Sequence, residues 1–274
     1  MPNKAERLVI DADENVEKLV AACTRLLPPP ERWSGLAGYP DGIALAVIDA
    51  IWSIGTRYPT TRGVIGRYRA FRRVEQADAS TDSLSDLLSL YDRLGGIDAF
   101  IDAIGTRNRV STQPDAPRKA DAVHQAATLL KDLGIDDAEE FRNADGTDLG
   151  QSAQDGWCKL PGQGSGISWR YLRMLLGIAD VKPDRMVRRF TAAALGVEQE
   201  AVTADAAAAL LGAAATRMRV DLRALDHEIW EYQSGRRGTH DQESTLDHLR
   251  TAAQTFIGAA MPALAEYHLV PTSF

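Results

Sequence analysis

The sequence predicts an all-α protein. Apolar residues recur at helical spacing along most of the chain, and no alternating strand pattern of any length appears. Proline and glycine also fall where the periodic runs stop.

Residues 11–27 form the first expected helix, with Val16, Leu19, Val20, Cys23, Leu26 and Leu27 on one stripe, ended by Pro28, Pro29 and Pro30. A Gly/Pro-containing connection over 31–41 leads to an apolar helix at 43–54, buried on most sides, and then a helix at 61–75. Ser80 to Ser83 offer caps for a helix at 84–94, which Gly95 and Gly96 end, and 97–104 is a further short helix. Residues 108–118 hold Pro114 and Pro117 and read as a loop before a helix at 119–133. The stretch 136–147 is acidic and turn-rich. Helices are then expected at 148–159, 168–176, 185–195 (capped by Gly196), 203–218 and 221–232. A flexible turn at 234–238 and a helix at 244–268, broken near Pro262, complete the pattern.

At 274 residues and 45% hydrophobic, the chain can bury one large or two modest cores. No apolar run reaches the about 18 residues that a membrane span needs, so no membrane partner is expected. The N-terminus lacks an apolar signal core, which makes the expected location cytoplasmic. Cys23 and Cys158 are the two cysteines, too few for a four-cysteine iron–sulfur cluster or a cysteine-rich zinc site. Asp226, His240 and Asp241 match no metal-ligand spacing, so no metal site is assigned.

The net charge of −7 counts against a nucleic-acid partner, but the charge is unevenly distributed. Arg57, Arg62, Arg67, Arg69, Arg72 and Arg73 cluster without an intervening acid. Arg170, Arg173, Lys182, Arg185, Arg188 and Arg189 form a second group, opposed by Asp180 and Asp184. Each group reads as a solvated helix face or as a locally basic surface on an acidic body.

The segment that organises the chain is Leu160-Pro161-Gly162-Gln163-Gly164, between the helices at 148–159 and 168–176. A Pro-Gly-x-Gly turn there leaves backbone N–H groups facing outward near the positive end of the second helix. That geometry holds a phosphate without a basic side chain. Asp184 follows Pro161 by 23 residues and opens Asp184-Arg185-Met186-Val187-Arg188-Arg189-Phe190.

The hairpin and Asp184, in that register, resemble the signature of the helix-hairpin-helix (HhH-GPD) DNA glycosylase superfamily, in which Leu-Pro-Gly-x-Gly precedes an Asp-Thr-His-Val-x-Arg-Val segment. The run Ala46-Val47-Ile48-Asp49-Ala50-Ile51-Trp52-Ser53 is similar to the helix opening that family's six-helix domain. The likeness covers about residues 42–196. It implies two helical lobes, one of residues 42–178 and one of 1–41 with 179–274, with double-stranded DNA across the groove between them.

The resemblance implies a monofunctional DNA glycosylase. Asp184 would stabilise the oxocarbenium-like sugar of a flipped nucleotide and orient water. By itself Asp184 reads as the N-cap of the 185–195 helix, and the two roles can coexist. The lysine that forms a Schiff base in the strand-nicking branch is replaced by Gly166, and Lys159 and Lys182 read as surface or phosphate-contacting residues. Leu160, Gly162, Gly164 and Gly166, with Arg57, Arg62 and Arg188, are the expected DNA contacts. Arg57 or Tyr58 is the candidate wedge for the vacated stack. Trp52, with Asp49, Tyr58 and Trp157, is expected around the base, although tryptophans at helical spacing are more often core. No cofactor is expected beyond a monovalent cation of the kind some members hold on the hairpin carbonyls. The substrate could be host damage or a hypermodified cytosine in phage DNA, the latter making the protein a defence enzyme. The alternative is a non-catalytic helix-hairpin-helix DNA-binding protein.

Overall fold

The computed structural model describes residues 12–235, and its secondary structure is helical, with twelve α-helices and no β-strand among those residues. The expected turn at 234–238 lies largely outside the described residues, and the expected helix at 244–268 entirely so.

Helix α1 (Ala12–Leu26) carries Asp13 and Glu14 in its first turn and Arg25 in its last, as the helix dipole favours. Its stripe of Val16, Leu19, Ala22 and Cys23 is buried, where it packs against α10 (Arg185–Leu195) and α11 (Ala204–Met218). Helix α2 (Ile43–Trp52) is buried at every residue. It lies against α3 (Tyr58–Val74), α4 (Leu84–Leu94), α6 (Lys119–Asp132) and α9 (Ile167–Leu175). A helix apolar on all sides can be stable only as the centre of such a ring.

Local chemistry sets the ends of these elements. Ser83 and Asp86 form a capping box at the start of α4, and Gly95 ends that helix in the left-handed region. Helix α5 (Ile97–Ala103) follows at once. Residues 108–118 are irregular as expected, tied by an antiparallel bridge between Arg109 and Arg118. The acidic stretch at 136–147, expected as turns, instead holds helix α7 (Ala138–Ala144). Asp137 and Glu140 form a capping box there. Reciprocal capping offsets the orphaned N–H groups of so short a helix. Helices α8 (Asp148–Lys159) and α12 (Leu222–Ser234) complete the set.

One continuous core runs from Ile43 to Leu176. The first compact unit extends to Trp230, and of the second, which starts at Glu231, only 231–235 are described. A polar group is locked into the first unit's interior. Arg72 donates to both Asp82 oxygens at 2.7 and 2.8 Å, and Tyr68 adds a third donor at 2.7 Å. None of the described helices is long and apolar enough to cross a membrane.

Candidate functional site

The turn between α8 and α9 begins at Leu160, whose extended backbone ends α8. The Gln163 N–H returns to the Leu160 carbonyl at 3.0 Å, and the Gly166 N–H to the Gln163 carbonyl at 3.0 Å. Gly162 sits at φ +77° where a Cβ would lie 2.7 Å from Val110 Cβ, so both conformation and space demand glycine. Gly166 N-caps α9 from the left-handed region. The N–H groups of Gly162, Gly164 and Ser165 find no acceptor among the described residues. Exposed amides beside a helix N-terminus suit an anionic oxygen.

Asp184 N-caps α10, its Oδ1 accepting from the N–H of Met186 at 2.7 Å and of Val187 at 3.3 Å. Both bonds fall on one oxygen, leaving Oδ2 without a hydrogen-bond partner among the described residues. The side chain is half-buried. Asp184 therefore caps a helix and still presents a free acceptor.

Around it several elements bring polar and aromatic groups together. Asp49, from the buried face of α2, accepts the Tyr39 hydroxyl on Oδ2 at 2.8 Å, and the Tyr171 hydroxyl also approaches the buried carboxyl. Tyr39 is placed there by Gly38, where a Cβ would fall 2.5 Å from the Leu175 carbonyl, and by its own N–H on that carbonyl at 2.6 Å. Lys182 points inward, its ammonium 3.7 Å from the centroid of the Tyr171 ring and 3.1 Å from Ser53 Oγ. Asp226, from α12, accepts the Lys182 backbone N–H at 2.9 Å.

Burial governs the electrostatics. It raises the Asp49 carboxyl, against the pull of the Tyr39 hydrogen bond and of Lys182. Burial pushes Asp226 up to about 8, with the charge of Asp184 adding to the rise. The Lys182 amine is lowered by burial, with Asp184, Asp49 and Asp226 drawing it back. Near one short segment stand a buried carboxyl raised by its surroundings, a helix-capping carboxyl and a poorly solvated amine. Such a set can move protons and stabilise a developing cation.

Behind the site, Lys119 is 2% exposed. Its ammonium donates to the Trp52 carbonyl at 2.7 Å, to Thr56 Oγ1 at 2.6 Å and to the Ile54 carbonyl. It thereby ties down the turn from α2 to Tyr58.

Among the expected base-pocket residues, Asp49 and Tyr58 reach this region, whereas Trp52 and Trp157 are each 0% exposed. Trp52 Nε1 donates to Thr106 at 3.0 Å, and Trp157 Nε1 to Ser168 at 2.9 Å with its ring against Trp169. Both indoles belong to the core and show no face to a base. Tyr58 is 38% exposed and meets Trp230 edge-on at 5.2 Å, with the Arg62 guanidinium over its ring at 5.9 Å. Arg57 is exposed beside them.

The basic groups are less available than the sequence implied. Arg188, expected on DNA, bonds the carbonyls of Val202 at 2.7 Å and Gln199 at 3.5 Å, which makes it a brace for the turn after α10. Arg67 donates to the carbonyls of Ile104 and Gly105 at 2.8 Å each, and Arg72 is buried on Asp82. Arg170 and Arg173 both pair with Asp180. Lys182, read from sequence as a surface or phosphate contact, lies within the cluster. Tyr39, Tyr171, Lys182 and Asp226 were not predicted as site residues. The available signal for Lys182 was its position two residues before Asp184; the others come from distant segments.

The chain belongs to the family described as Domain of unknown function (DUF8548), whose sequence model matches residues 17–234. No curated protein and no solved structure matches the chain.

Proposed function

We propose that the protein is a monofunctional DNA glycosylase of the HhH-GPD type, hydrolysing the N-glycosidic bond of a flipped base. The observation carrying this reading is Asp184, whose Oδ1 is held by two backbone amides while Oδ2 has no partner. A carboxylate so held is preorganised to stabilise positive charge on a sugar and to orient water. The α8–α9 turn supports it, since its outward amides at Gly162, Gly164 and Ser165 can grip the neighbouring phosphate. Arg57 and Tyr58, exposed at the start of α3, are the side chains that would fill the gap left in the stack.

The test uses duplexes bearing uracil, hypoxanthine, 7-methylguanine, 8-oxoguanine, 5-hydroxymethylcytosine or glucosylated 5-hydroxymethylcytosine, treated with hot alkali after incubation. Abasic sites from at least one, abolished by Asp184→Asn, are expected. No abasic product from any of them, or full activity in the variant, refutes the reading. Activity confined to the hydroxymethylated bases would assign the phage-defence role.

A second reading is a clamp that binds DNA without turnover. It is favoured by the two cap bonds that already occupy Asp184 Oδ1. Tight, salt-sensitive duplex binding with no abasic product would select it.

A further inference from the structure

We propose that Asp226 is a second catalytic carboxyl, donating a proton to the departing base while Asp184 faces the sugar, and that the site is therefore built for uncharged bases. The inference rests on the glycosylase reading and extends it to leaving-group chemistry and substrate class.

Both carboxyls belong to one short segment's surroundings. Asp226 Oδ1 accepts the N–H of Lys182 at 2.9 Å, and Asp184 follows two residues later. Asp226 Oδ2, like Asp184 Oδ2, has no hydrogen-bond partner among the described residues. Their surroundings differ in kind. Asp184 sits on the N-terminus of α10, where one of its oxygens accepts two main-chain N–H groups. Asp226 is 6% exposed and accepts one main-chain N–H, a setting that favours the neutral acid. The groups facing it are Lys182, Asp184 and Asp180 from the segment before α10, and Tyr171 from α9. Asp180 is already paired with Arg170 and Arg173. A carboxyl raised by burial, near a second carboxyl that caps a helix, can serve as the acid of such a pair.

The balance is simple. The C1′–N bond breaks with its electron pair passing to the base, which takes the proton of Asp226. Water forms the new C1′–O bond, and its proton passes to the Asp184 carboxylate and back to Asp226 through solvent. A base that is already cationic, such as 7-methylguanine, departs as a neutral molecule and needs no proton. A buried acid assists only bases that would otherwise leave as anions.

The experiment measures base release by the full chain from the uncharged-base duplexes above and from the 7-methylguanine duplex, as a function of pH. Asn at 226 keeps an acceptor for the Lys182 N–H, and an unchanged thermal midpoint will confirm that the fold is intact. On an uncharged base, Asp226→Asn is expected to slow release about a hundredfold and to remove a fall in rate above pH about 8. On 7-methylguanine any release should be unaffected by the same change. Carboxyl NMR should place the Asp226 midpoint near the same pH, and lower in Asp184→Asn. Release that depends on Asp184 but not on Asp226 overturns this inference alone, as does an Asp226 midpoint in the ordinary carboxylate range. No release by the parent from any duplex overturns this inference and the glycosylase reading together.

Discussion

Tyr39 donates its hydroxyl to Asp49 Oδ2 at 2.8 Å, across a junction where the carboxyl is buried and the Tyr171 hydroxyl also approaches it. This bond joins the segment before α2 to the helix at the centre of the fold. Tyr39→Phe removes the donor and should cost about 1–3 kcal/mol, the range for an unsatisfied buried acceptor. Because burial raises Asp49, its neutral form fits the fold best. The stability it contributes is therefore present at acid pH and lost as pH rises through the raised value, over a wider pH range in the variant, which lacks the Tyr39 bond that lowers it. Urea denaturation across pH checks both.

Asp184→Asn separates chemistry from capping. Asparagine caps helices about as well as aspartate, so stability should change by less than about 1 kcal/mol while base release disappears. Asp184→Ala should cost about 1 kcal/mol more. Thermal melts beside abasic-site assays distinguish the two variants.

Gly162→Ala and Gly164→Ala should behave differently. An added Cβ at 162 meets Val110 at 2.7 Å on a left-handed backbone, whereas at 164 the nearest atom is a carbonyl 3.6 Å away. Gly162→Ala is expected to lose about 1–3 kcal/mol and to bind duplex more weakly. Gly164→Ala should keep its melting point. Equal melting points for the two would contradict the packing described for this turn.

Lys119→Met leaves the carbonyls of Trp52 and Ile54 and the Thr56 hydroxyl without their ammonium donor. A loss of about 2–3 kcal/mol is expected. Burial lowers the Lys119 amine to about 7, with Lys182 contributing. A depressed amine contributes stability present above its unfolded value and lost as pH falls toward 7. That dependence should vanish in Lys119→Met, as denaturation at pH 7 and at pH about 10 will show.

Arg72→Met strands Asp82, whose side chain is only 4% exposed. Removing one partner of a buried pair should cost about 3–5 kcal/mol. A double variant that also replaces Asp82 with asparagine should recover part of that loss in a thermal melt.

Much of the helical skeleton was legible in the amino-acid order. Residues 84–94, 148–159 and 185–195 were expected as helices and are helices over the same spans. Their caps are local: Ser83 bonds Asp86, Thr147 accepts from Gly150, and Asp184 accepts from Met186 and Val187. Helix α7 was misread because acids and glycine outweighed its Asp137–Glu140 capping box. The arginines were misread for a different reason. A run of basic residues looks the same in sequence whether its guanidinium groups face solvent or, like Arg188 and Arg67, close on main-chain carbonyls.

The sequence alone determined what depends on neighbours a few residues apart: the helical class, the glycine turn at 160–166, and an aspartate at the head of α10. Tertiary structure decided which side chains share a space. It buried Trp52 and Trp157, turned Lys182 inward onto Tyr171, and brought Asp226 to the Lys182 main chain. Burial and proximity come from segments as distant as residues 39, 49, 171 and 226, and they alone set whether a carboxyl is an anion or an acid.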